Sequence, residues 1–72
     1  MDATEIAKLQ TYLRKLFRLD TVEIMRRPKK DDSVEVNIGG EFVGVIFKDE
    51  EEGETSYHFE MCILEMDLPE KA

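Results

Sequence analysis

His58, Glu60 and Cys62 alternate along one stretch of this 72-residue chain, and they form its most reactive grouping. A thiol, an imidazole and a carboxylate within a few ångströms can make a nucleophilic pair or part of a metal site. On a strand the three share one face. His58 and Cys62 then stand roughly 13 Å apart, at about 3.3 Å per residue. Neither a metal nor a proton bridges that gap, and the chain holds one His and one Cys in all. The expectation is a surface histidine and a half-buried cysteine, with no metal and no cofactor. A second grouping is acidic, Asp49-Glu50-Glu51-Glu52-Gly53-Glu54. An EF-hand loop needs Gly at its sixth position and Glu at its twelfth. Setting Gly53 sixth puts Lys48 first and Phe59 last, so the run reads as a solvated loop. The nucleophile elbow, the phosphate-binding glycine loop and the dinucleotide fingerprint are absent, and no enzymatic activity is expected.

Two further sets bear on binding. Lys8, Arg14, Lys15 and Arg18 lie opposite the apolar stripe of the first segment, and Arg26-Arg27-Pro28-Lys29-Lys30 follows. Lys8, Lys15, Arg18, Arg26 and Arg27 are the candidate anion-binding residues, if they converge in space. Met25, Phe42, Ile46, Cys62 and Leu64 are the candidate interface, because their phase points them away from the helix side of the sheet.

The elements that must position these residues follow from periodicity. Asp2 with Glu5 three positions on is a capping-box arrangement. Ile6, Leu9, Leu13 and Leu16 recur at helical spacing, with Phe17 at the margin, which predicts a helix over about residues 3–18. The period then drops to two. Val22 and Ile24 predict a strand to near Arg27, and Pro28 to Asp32 reads as a loop. Val34, Val36 and Ile38 predict a second strand, and Gly39-Gly40 a two-residue hairpin turn. That turn predicts the pairs Ile38–Glu41, Val36–Val43 and Val34–Val45, placing Val43, Val45 and Phe47 on the helix side. A fourth strand carries Tyr57, Phe59, Met61 and Ile63. The apolar phase flips at Leu64, Met66 and Leu68, which predicts a bulge or a strand exit near Ile63-Leu64. Pro69 ends the expected order. The fold class is α+β: an N-terminal helix on one face of a four-stranded antiparallel meander, in two layers.

Bulk composition narrows the function. The net charge is −7, with 42% apolar and 38% charged residues, which suits one small domain with a thin core. An acidic chain is a poor generic nucleic-acid binder. No apolar run approaches the roughly 20 residues needed to cross a bilayer. With an acidic start and a lone cysteine, the cytoplasm is the expected compartment. Residues 1–30 carry +4 and residues 31–72 carry −11, so a head-to-tail self-contact is expected to weaken with salt. The leading expectation is a non-enzymatic protein–protein interaction module, whose partner is another protein or a second copy in a homodimer. The alternative is a small ligand- or phosphate-binding protein using the basic residues.

The segments Ala3-Thr4-Glu5-Ile6-Ala7-Lys8-Leu9-Gln10, Arg27-Pro28-Lys29-Lys30-Asp31-Asp32-Ser33 and Gly40-Glu41-Phe42-Val43-Gly44-Val45 resemble a family of uncharacterised alphaproteobacterial proteins of about this length. The resemblance runs over most of the chain. It implies a bacterial, cytosolic, stand-alone domain and carries over no catalytic or binding residue.

Overall fold

Asp2 starts the helix as its sequence demands. In the computed structural model, which describes residues 1–71, α1 spans Ala3–Phe17. The Asp2 side chain accepts from the Glu5 amide at 2.8 Å, and the Glu5 carboxylate accepts from the Asp2 amide at 3.2 Å. Two helix-start donors are thereby satisfied. The helix ends at Arg18 in the left-handed region, φ 57°, with its amide on the Arg14 carbonyl.

Four strands follow, β1 (Val22–Arg27), β2 (Lys30–Ile38), β3 (Glu41–Glu51) and β4 (Glu54–Glu60), and then a short 3-10 turn, Glu65–Asp67. They form one antiparallel sheet in the order β1-β2-β3-β4. The expected α+β meander is therefore the observed one. Its hairpins are tighter than the sequence suggested. The Pro28 to Asp32 loop shrinks to a turn at Pro28-Lys29, with Lys29 at φ 63°. The acidic loop is also mostly strand. Asp49, Glu50 and Glu51 pair with Ser56, Thr55 and Glu54 around a two-residue turn at Glu52-Gly53. Both turn residues have positive φ, 50° and 81°, as a type I′ hairpin requires.

The main correction lies in β3. Ile38 pairs with Glu41 as expected, but the register then shifts, and Val36 pairs with Gly44 and Val34 with Ile46. One extra residue, Val43, bulges out of the ladder and inverts the face of everything after it. Ile46 therefore points to the helix side, where it is 2% exposed. Val45 and Phe47 move to the opposite face. Gly44 tolerates no side chain: a Cβ there would meet the Glu60 carbonyl and sit 2.6 Å from Phe59 Cε1. The core is Leu13, Val22, Ile24, Val34, Val36 and Ile46, with Met1, Ile6, Leu9, Ile38, Val43 and Phe59 packed around it. Strand β4 ends at Glu60, three residues before the expected exit, and residues 61–64 leave the ladder.

Candidate interaction surface

The helix lies over β1 and shuts that edge of the sheet. Gln10 Oε1 accepts from the Ile24 amide at 3.0 Å, and Arg14 Nε donates to the Val22 carbonyl at 2.8 Å. Both backbone groups lie on an edge strand, whose outward row is otherwise unpaired. Helix side chains replace the missing neighbour strand.

Placing α1 there leaves the β3–β4 half of the same face under-covered. The apolar stripe splits accordingly. Leu13 is buried, whereas Leu16 is 57% exposed, Phe17 44% and Tyr12 62%. Leu16 was expected in the core. It lies instead beside Phe17 along the open side of the sheet. These side chains and Leu9 form one wall of an apolar groove of about 560 Å³, floored by Ile46, Tyr57 and Phe59. Phe17 meets Phe59 edge to face, with centroids 6.4 Å apart and planes at 68°, a favoured aromatic geometry.

A polar clasp closes one end of this groove. Tyr57 donates its hydroxyl to Glu5 Oε2 at 2.7 Å, and Lys48 Nζ lies 2.6 Å from the same oxygen. Lys48 also reaches Glu50 at 3.4 Å. The lysine and tyrosine bonds, with the Asp2 amide, hold the Glu5 carboxyl down at about 2. The same carboxylate raises Lys48 and Tyr57 above their ordinary values.

The sequence-derived candidates fall in different places. Phe42 (61% exposed), Cys62 and Leu64 (50%) come together around a shallow depression with Val43, Met61 and Ile63. Met25, 46% exposed, stands apart from them on β1. Ile46 is core and leaves the set. Among the basic residues, Arg26 donates to the Met1 carbonyl at 2.8 Å, near the helix start. Arg27 donates to Ser33 Oγ at 3.0 Å and lies 4.0 Å from Glu35. Lys15 and Arg18 sit at the other end of a helix of 15 residues, about 22 Å long. Lys8 lines the groove rim. The five are not gathered into one cluster. His58 and Cys62 are likewise apart, and His58 lies 3.2 Å from Ser56 Oγ and 3.8 Å from Asp49.

The groove itself escaped the sequence reading. Its one trace is Phe17, which widens the stripe beyond what a single sheet contact needs. Fold and surface together define a small α+β protein with a half-covered sheet, one sealed edge and no helix long and apolar enough to cross a membrane among the described residues. The chain belongs to the DUF3126 family, described as proteins of unknown function, whose model matches residues 5–67. No curated protein and no solved structure matches the chain.

Proposed function

We propose that this protein is a non-enzymatic protein–protein interaction module that binds through the groove between α1 and β4. The observation that carries this reading is the group of large side chains at that groove: Tyr12, Leu16 and Phe17 stay exposed above Tyr57 and Phe59. Contiguous exposed apolar surface of this kind marks association sites. Aromatic residues are enriched in the anchors of such interfaces. The anion-binding alternative draws less support, because Arg26 and Arg27 are engaged by backbone and Glu35 at one end while Lys15 and Arg18 lie at the other. The partner is a second copy or another protein. The setting that fits is the bacterial cytosol, on the strength of the alphaproteobacterial resemblance and an exposed lone thiol.

A photo-crosslinking amino acid at Leu16 in living cells, with sedimentation equilibrium of the purified protein, tests the reading. The expected outcome is a discrete crosslinked product, lost when Phe17→Lys is added beside the crosslinker while circular dichroism is unchanged. A basic side chain near a helix C-terminus is well tolerated. A strict monomer in the centrifuge together with no discrete product in cells would overturn it.

A further inference from the structure

The two edges of the sheet are treated differently. Strand β1 is sealed by Gln10 and Arg14. Strand β4, Glu54–Glu60, is the other edge, and only Phe59 in it is even half-buried. Its only guards are the charges of Glu54 and Glu60 near its ends; it has no proline, no lysine and no bulge in its pairing with β3. We propose that a second copy of this chain docks on that edge, β4 against β4, antiparallel, with the two-fold axis at Phe59. The inference rests on the interaction-module reading and names its partner.

The register follows from the side chains. With the axis at Phe59, Tyr57 faces Met61 of the second copy, Phe59 faces its own equivalent, and His58 faces Glu60. The helix-side row is then apolar throughout and continues the floor of the groove, where Tyr57 and Phe59 already lie. On the other face, a basic and an acidic group meet twice across the axis. The His58 side chain is 60% exposed, and turning toward the new carboxylate exchanges its contacts with Ser56 Oγ and Asp49 for that one. Moving the axis to Tyr57 would instead set Glu54 against Glu60 on both sides. Directly opposed like charges destabilise a strand pair, and opposite charges or aromatic pairs stabilise it. The segment after Glu60 takes part too, since this register sets Met61, 53% exposed, against Tyr57.

The pairing also sets Ser56 opposite Cys62 of the second copy, and it keeps each Cys62 far from its own equivalent. Residues directly opposite on antiparallel strands have Cα atoms about 4.5–5.5 Å apart, within disulfide range. Ser56→Cys, oxidised with copper phenanthroline, should therefore run as a covalent dimer. Wild type and Ser56→Cys/Cys62→Ser, each with one thiol per chain, should not. In sedimentation equilibrium, His58→Glu and Glu60→Lys should each weaken the dimer about tenfold, and the double variant His58→Glu/Glu60→Lys should restore it. A dimer that ignores these charges, or that crosslinks equally through either single thiol, overturns the β4 pairing and leaves the interaction module standing. A strict monomer also overturns it, and the module reading then turns on a Leu16 crosslink to a different protein.

Discussion

Glu5 does three jobs with one carboxylate. It completes the helix cap, accepts the Tyr57 hydroxyl and pairs with Lys48. It thereby ties the first helical turn to β3 and β4, which the helix otherwise hardly touches. The capping role is visible in the spacing of Asp2 and Glu5. The other two are not, because Lys48 and Tyr57 lie more than forty positions away and only the sheet brings them near. The ordinary value of 4.5 falls to about 2 in the fold. A depressed carboxyl stabilises in full above about pH 4.5, and its contribution fades as pH falls through about 2. Lys48 and Tyr57 are raised, so their share is present below their ordinary values and fades at strongly alkaline pH. Glu5→Gln should therefore lower the urea midpoint at neutral pH, and the gap to wild type should close between about pH 4.5 and pH 2. A gap that stays constant across that range would show that the charge of Glu5 is not what ties the elements together.

At the scale of elements, one residue of bulge decides which face of β3 is core. Alternation in β3 reads equally well in either phase, since Val43, Val45 and Phe47 compete with Phe42, Gly44 and Ile46. The turn at Gly39-Gly40 predicts the first, but the shift between Phe42 and Gly44 turns Gly44 and Ile46 to the helix side and leaves Phe42, which precedes it, on the other face. Gly44 was the available signal. A glycine inside a strand marks a bulge or a close backbone approach, and here it marks both. The consequence separates two residues that the unbulged register placed together. Ile46→Ala should cost about 2–5 kcal/mol. That is comparable with the roughly 3–5 kcal/mol a core of this size supplies, so the variant should be largely unfolded at 25 °C by circular dichroism. Phe42→Ala, exposed on the other face, should stay within about 0.5 kcal/mol of wild type in urea titration. Equal losses at the two positions would restore the unbulged register. The acidic hairpin was missed for a different reason. Glu and Asp are depleted in strands on average, yet here strand pairing with Thr55 and Ser56 overrides that preference.

At the scale of the molecule, the chain is an elongated body of 45 × 23 × 23 Å. The β3–β4 ribbon carries the acidic run at its turn, and the basic helix lies toward β1. Each copy has a net charge of −7. Two copies joined at β4 are related by a two-fold axis, so their long-range repulsion adds across the interface. The Debye length falls from about 30 Å at 0.01 M salt to about 10 Å at 0.1 M. The dimer should accordingly tighten as salt rises over that range, measured by sedimentation equilibrium. A head-to-tail contact between basic and acidic halves would weaken instead, so the sign of the salt effect separates the two arrangements.

What the sequence determined by itself is local. The helix and its cap, the order of four strands and the glycine turn all follow from interactions within a few residues of chain, where spacing reports geometry directly. The α+β meander follows in turn, because short connections leave antiparallel neighbours as the accessible pairing. Only the tertiary structure decided the β3 phase, the seat of α1 on β1 and the Glu5–Lys48–Tyr57 clasp. Each depends on groups brought together from distant positions. A helix has a stripe but no instruction about which strands it must cover. Here Gln10 and Arg14 settle that choice by bonding to the β1 backbone, and the groove beside β4 is what the choice leaves open.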